Sequence, residues 1–183
     1  MDADDVSLPN RFEEQIKYFM QTEIDIVGGN ISEFVGDESN IVAYRKVPMI
    51  DSEIKEDMKK RCPLNQMTVM FRKSVYEKAG GYIDWYCDED YYLWLRMMQK
   101  DAVFANTGTV LVNVRVGADM YRRRGGLKYF KSEAKLQKYM LDNKIIGIAT
   151  FFMNVCKRLI VQVDLSISVQ SKNTQNLTQP PRP

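Results

Sequence analysis

KAGGYIDWYCDEDYYLWLRMM, residues Lys78 to Met98, is the stretch on which the fold of this 183-residue chain turns. It begins inside a short helical pattern, Lys73 to Ala79, that Gly80 closes, because glycine readily adopts the left-handed backbone found just past a helix end. It ends inside a longer helical pattern, Asp90 to Lys100, in which Trp94 and Leu95 are placed for packing. Strand-like runs flank the pair, Thr68 to Phe71 before it and Val103 to Ala105 with Val110 to Val116 after it. Helices interleaved with short strands indicate an α/β fold. Three acids open the longer helix. Asp88 reads as its cap, and Asp90 as a carboxylate able to accept a proton, with Glu89 adjusting its surroundings. The same acids also read as an ordinary solvated helix start, since negative charge stabilises that end.

Upstream, Ser52 to Arg61 is a polar helical stretch ended by Pro63, and Asp25 to Tyr44 reads as short strands broken by Gly28, Gly29 and Gly36. A helix is expected near the start, with Ser7 as cap, Pro9 in the first turn, and Phe12, Ile16 and Phe19 at helical spacing. Before it stands an acidic cluster, Asp2, Asp4 and Asp5. Carboxylates one residue apart can share a hard divalent cation, Mn2+ or Mg2+, and Asp4 and Asp2 are the candidate metal ligands. Capping of the following helix is the competing account, above all for Asp5. Downstream of Gly125 and Gly126 the pattern is helical, and the tail from Gln170 is rich in Gln, Asn, Thr and Pro, a composition expected to stay disordered.

Composition bounds the function. A formal charge of +2 gives no reason to expect nucleic acid as a partner, and the 45% hydrophobic content suffices for one core. The chain has no histidine, which excludes histidine catalysis and histidine metal ligation. Three cysteines, Cys62, Cys87 and Cys156, lack paired ligand spacing and fit reduced thiols in the cytoplasm. The first residues are acidic rather than basic and then apolar, unlike a secretory leader. Ile145 to Cys156 is shorter than the roughly 20 residues a spanning helix needs, so it is read as packing on the domain or lying at the inner face of the cell membrane.

Taken together, MDADDVSLPNRFEEQ, CPLNQMTVMFRKS and the Lys78 to Met98 segment resemble the family 2 glycosyltransferases of the GT-A fold, especially bacterial enzymes of surface polysaccharide synthesis. The resemblance runs from Met1 to about Val163. It implies an incomplete α/β GT-A (Rossmann-like) domain with a mixed sheet over residues 1–120, followed by a helical segment over 121–165; residues 166–183 are unlike the family and are read from composition as a disordered tail. It further implies a DxD motif in which Asp4 and Asp2 hold the cation and a nucleotide-diphosphate sugar, and an ED motif in which Asp90 is the base and Glu89 its neighbour. Asp90 would deprotonate a hydroxyl of a saccharide or lipid-linked acceptor, which attacks the anomeric carbon and inverts it. The turn Gly80, Gly81, Tyr82 would approach the donor sugar, and Arg122 and Arg123 would contact its diphosphate or a lipid phosphate. Each has a plainer reading: a helix cap for the glycines and a solvated loop for the arginines. Trp85 and Tyr86 are candidates for stacking on a sugar, or for packing.

Two positions depart from the family pattern. Gln66 and Gly117 stand near places where many relatives carry histidine. The family's N-terminal nucleotide-binding half is also expected to lie outside this sequence, which would leave the opening acids poorly preorganised and the isolated chain a weak or inactive catalyst. Two further readings remain: a non-catalytic remnant or acceptor-binding fragment, and a haloacid dehalogenase-like phosphatase with Asp2 as nucleophile. The phosphatase pattern fails after its opening, because Gly36 and Asp37 are not followed by its second acid.

Overall fold

The computed structural model describes residues 3–21, 23–117 and 126–160. They divide into two compact units. The first holds everything to Trp85 together with Glu89–Ala118, and the second holds Tyr86–Asp88 and the chain after residue 118. The tail, the arginine run Arg122 to Arg124 and Asp2 lie outside the described residues.

The first unit is α/β around a mixed five-stranded sheet. Its elements are β1 (Val6–Ser7), α1 (Arg11–Gln21), β2 (Ile26–Phe34), β3 (Ile41–Arg45), α2 (Asp51–Asp57), a 3₁₀ turn (Gln66–Thr68), β4 (Met70–Phe71), α3 (Lys73–Lys78), α4 (Glu89–Met98) and β5 (Phe104–Arg115). The order is β1-β5-β2-β3, with β4 pairing to β2. β2 and β5 run parallel at the centre, Ile26 opposite Phe104 and Phe34 opposite Arg115, and the other pairs are antiparallel.

The centre is longer and less broken than the sequence suggests. β2 passes through Gly28 and Gly29, and β5 is one strand through residues 106–109 where two were expected. The glycines are there for close approach. A Cβ on Gly29 would lie 2.5 Å from Leu111 Cδ1 and 2.8 Å from Thr107 Oγ1, nearer than atoms can pack. The register of β2 on β5 shifts around Asn30, which is where the extra residues are absorbed. Ile26, Val27, Phe34, Phe104, Leu111 and Val112 are buried along these two strands.

Helix α1 corrects the reading of its sequence. It starts at Arg11, Ser7 belongs to β1, and the polar residues Arg11 and Gln15 point inward. Phe12, Ile16 and Met20, at helical spacing, are exposed. The reason is hydrogen bonding: the Gln15 amide donates to Val27 O and Thr68 O, both at 2.8 Å, and Arg11 Nε donates to Gln15 Oε1 at 3.2 Å. These bonds pair the buried Gln15 amide with two backbone carbonyls, which outweighs the apolar stripe. Burial lowers the pKa of Arg11.

In the second unit α5 (Gly126–Asp142) and α6, residues 148–160, form a helical hairpin. Its inner side buries Leu136, Met140 and Ile146. Asn154 Nδ2 donates to Gln137 Oε1 at 2.8 Å, and Arg158 Nε lies 3.0 Å from Glu133 Oε2. Among the described residues no helix is long and apolar enough to cross a membrane.

Candidate functional site

The site is built from the end of α3 and the start of α4. The last turn of α3 closes as a Schellman motif, Gly80 N–H to Glu77 O and Gly81 N–H to Tyr76 O, both 3.0 Å. Both glycines have positive φ, +80° and +66°, so the pair is a helix cap whatever else it does. A Cβ on Gly81 would also press on the Tyr76 ring, 3.0 Å from its hydroxyl. The turn is gripped from α4: Arg96 donates from Nη1 to Ala79 O at 2.6 Å and from Nη2 to Gly81 O at 2.7 Å. Arg96 is 9% exposed, and its guanidinium lies 4.5 Å from the centre of the Tyr92 ring.

The turn delivers Tyr82. Its N–H donates to the Tyr76 hydroxyl at 3.3 Å, and a run of rings leads from the core to it: Trp94 to Phe71 at 6.1 Å, Phe71 to Tyr76 at 5.4 Å, Tyr76 to Tyr82 at 5.9 Å. The phenol is 45% exposed. Burial first, and then the charge of Asp90, push its pKa above the usual value, while a hydrogen bond with Gln66 pulls the other way and Glu89 adds a smaller upward push. The charges of Asp90 and Glu89 therefore reach the Tyr82 phenol, and Gln66 bonds to it. Gln66 is held there because the 3₁₀ turn is stitched to β2: Asn65 Nδ2 donates to Gly29 O at 2.9 Å, and Gly29 N–H donates to Thr68 Oγ1 at 3.0 Å.

Helix α4 begins at Glu89, directly after buried Asp88. Its other side is core: Leu93, Trp94, Leu95 and Met97 have no exposed surface. Of the aromatic candidates, Trp85 packs on Tyr92 with centroids 4.5 Å apart. Tyr86 belongs to the second unit, where Lys128 Nζ sits 3.9 Å above its ring and Ser132 Oγ donates to its carbonyl at 2.6 Å. Cys87, next to the acids, is exposed at φ +59°.

The amino-terminal acids stand with a different part of the sheet. β1 pairs with β5, Val6 opposite Asn113 and Ser7 opposite Val112. Asp5 Oδ1 accepts the Arg115 N–H at 3.2 Å, which ties the cluster to the end of β5 near Gly117. Asp4 is exposed, and Asp2 falls outside the described residues. A Cβ on Gly117 would meet nothing within 4 Å, so there is open space where relatives were expected to carry histidine. Among the described residues no three His, Cys, Asp or Glu side chains converge on a point that would hold a metal.

The structure therefore groups Tyr82 with Glu89 and Asp90, and groups Gly80 and Gly81 with α4 through Arg96. It sets Asp4 and Asp5 by β1 and β5. Arg122 and Arg123 lie outside the described residues. Sequence reasoning missed Arg96 and Gln66 as members of this group. A lone arginine in an otherwise apolar helix, YYLWLRMM, was the available signal.

The chain is similar to several proteins named as glycosyltransferases. It is 41% identical over 165 residues to an uncharacterized glycosyltransferase of Haemophilus influenzae, the match covering 87% of this chain and 61% of the relative. It is 37% identical to the amylovoran biosynthesis glycosyltransferase AmsE of Erwinia amylovora, with the same coverage. It is 32% identical over 163 residues to the UDP-Gal:alpha-D-GlcNAc-diphosphoundecaprenol beta-1,3-galactosyltransferase of Escherichia coli, covering 88% of this chain and 59% of that protein. The chain spans about three fifths of the length of these relatives. No family model matches it.

Proposed function

We propose that this chain is part of an inverting family 2 glycosyltransferase of the GT-A fold, acting in surface polysaccharide synthesis. It would move a sugar from a nucleotide-diphosphate donor to a saccharide or lipid-linked acceptor. The observation that carries this reading is Asp90 in the first turn of α4, beside the Tyr82 phenol, in a chain whose relatives are named as glycosyltransferases. Those relatives favour it over phosphatase chemistry, which would also need a second acid that the β2–β3 turn at Gly36 and Asp37 does not supply.

In this mechanism Asp90 accepts the proton of the acceptor hydroxyl as that oxygen attacks the anomeric carbon. Tyr82, whose pKa is raised, keeps its proton and donates a hydrogen bond to a sugar oxygen, with Gln66 fixing the phenol's orientation. Glu89 orients the pocket. The Gly80–Gly81 turn, held by Arg96, gives Tyr82 a fixed position relative to Asp90, and such preorganisation contributes much of the rate in positioned catalysis. Mn2+ or Mg2+ on Asp4 and Asp2 would offset charge on the departing diphosphate. Arg122 and Arg123 would meet phosphate.

The exposed position of Asp4, in a chain that spans about three fifths of its relatives' length, favours a weak or inactive catalyst when the chain acts alone. It equally supports the second reading, a non-catalytic fragment that binds acceptor. We also assign α6 to a peripheral contact with the inner face of the cell membrane, since Ile148, Phe152 and Ile160 are exposed on a helix that also carries Lys157.

The test is a transfer assay with nucleotide-diphosphate sugars and Mn2+. It is run on the chain alone and on the chain fused to the portion of the H. influenzae relative that the match leaves uncovered. The fusion should transfer sugar, and Asp90→Asn should lower its rate by about 10²–10⁴, the range for a lost general base. Transfer retained in that variant removes Asp90 as the base, and a fusion with no transfer favours the non-catalytic reading.

A further inference from the structure

A concave site is lined by none of Tyr82, Glu89 and Asp90. It is an open groove of about 730 Å³ at the far end of the sheet, formed by Ser32 of β2, Tyr44 of β3, Asn113 of β5 and the β2–β3 turn with Asp37 and Glu38. Its polar groups are already aligned. Ser32 Oγ donates to Asn113 Oδ1, and Asn113 Nδ2 donates to Glu38 Oε1 at 2.7 Å. Asp37 Oδ1 accepts from Ser39 N–H at 3.0 Å and from Ser39 Oγ at 2.6 Å, bonds that lower its pKa and keep it ionised. In these contacts Glu38 and Asp37 each use one carboxylate oxygen, so the other can accept from a ligand.

We propose that this groove binds an uncharged saccharide, and, resting on the transferase reading above, that it holds a sugar unit of the acceptor. Sugar hydroxyls are donors that match ionised carboxylates, and the Tyr44 ring, on a residue 65% exposed, offers a flat apolar face to sugar C–H bonds. The volume lies in the range of small-ligand pockets. The charge selects the class. Among the described residues no lysine or arginine lines the groove, and Arg115, whose charge reaches Asp37, is held by the Gly36 carbonyl and the Phe34 ring 4.6 Å away. Two ionised carboxylates on the lining disfavour a phosphate, which sets a neutral sugar above a nucleotide diphosphate or a lipid phosphate as the occupant. The place suits an acceptor: Asn113 pairs with Val6 of β1, the strand that follows Asp4 and Asp5.

The experiment is ligand-observed NMR on the 183-residue chain with neutral disaccharides (lactose, cellobiose, diacetylchitobiose), and separately with pyrophosphate and with Mn2+. At least one disaccharide should bind, and Tyr44→Ala and Glu38→Gln, both exposed and checked for folding by circular dichroism, should each weaken it at least fivefold. Binding that ignores both substitutions, no disaccharide binding, or pyrophosphate or Mn2+ binding that either substitution abolishes overturns the proposal. Because the readout is binding, those outcomes are independent of the transfer assay. Conversely, saccharide binding sensitive to Tyr44 leaves the subsite standing even if Asp90→Asn transfers sugar normally and the catalytic reading falls.

Discussion

Arg96 fixes more of the candidate site than either acid does. It is nearly buried, and it satisfies the carbonyls of Ala79 and Gly81 on the turn while projecting from the helix that begins with Glu89 and Asp90. Arg96→Met removes two charge-assisted hydrogen bonds and leaves two carbonyls unpaired, at an expected cost of about 2–4 kcal/mol, readable by urea denaturation. Arg96→Lys keeps the charge but not the fork and should recover only part of that loss. A cost below about 1 kcal/mol for Arg96→Met would show that the turn holds itself. Tyr82 gives a pH prediction. Its folded pKa is raised, so the neutral phenol is the favoured form: the associated stability is present below the unfolded value near 10 and is lost as pH rises through the higher folded value. Difference absorbance of the chain against Tyr82→Phe should therefore place this ionisation above pH 10. Asp90→Asn should move it down but not fully back, since burial is the larger cause. An unmoved midpoint would mean that Asp90 does not face the phenol. The helix that opens at Glu89 and the cap formed by Gly80 and Gly81 were legible in the sequence because type and order carry them. Arg96 and Gln66 were not, because their roles come from carbonyls and a phenol that only the folded turn brings near.

At the scale of elements, the packing of β2 against β5 turns on Gly29. Gly29→Ala would drive a methyl into Leu111 and Thr107, side chains of the central strand, and overpacking of this kind costs about 1–3 kcal/mol. The loss should appear in the denaturation midpoint without a change of slope, because the same surface is still buried in the folded state. Reading Gly28 and Gly29 as strand breakers failed for the same reason that the substitution should hurt: glycine marks both turns and close approaches, and sequence does not separate them. The α/β class and the positions of α2, α3 and α4 were legible, as were the two ends of β5 though not its continuity, because apolar period and helix ends are local properties. The inward face of α1 was not. Its apolar spacing pointed to Phe12 and Ile16, whereas two distant carbonyls, Val27 O and Thr68 O, recruited Gln15 instead. In the helical hairpin the buried bond between Asn154 and Gln137 plays a like part. Asn154→Leu would leave the Gln137 carbonyl oxygen without its donor in a buried place, and should destabilise the chain by about 1–3 kcal/mol in thermal unfolding.

Over the whole molecule, the two units each leave an apolar helix stripe in water, and the stripes differ in what they are suited to meet. On α1 it is Phe12, Ile16 and Met20, whose helix neighbours Glu13 and Lys17 form an ion pair. On α6 it is Ile148, Phe152, Leu159 and Ile160, with Met153 beside them and Lys157 at the edge. Exposed patches of this kind mark contact surfaces, and the first stripe, beside an ion pair rather than a cationic border, suits a protein partner. The second has the composition of an interfacial helix, apolar on one side and cationic at its border. The two assignments separate in one measurement. Co-sedimentation with vesicles containing anionic lipid should capture the chain, and Phe152→Glu should weaken capture by about tenfold, since one large side chain withdrawn from the interface removes on the order of 1.5 kcal/mol. Phe12→Glu should leave vesicle binding unchanged and instead lower the fluorescence of a dye that reports exposed apolar surface. Vesicle binding that depends on Phe12 and not on Phe152 would reverse the assignment, making α1 the membrane face and leaving α6 for a protein partner.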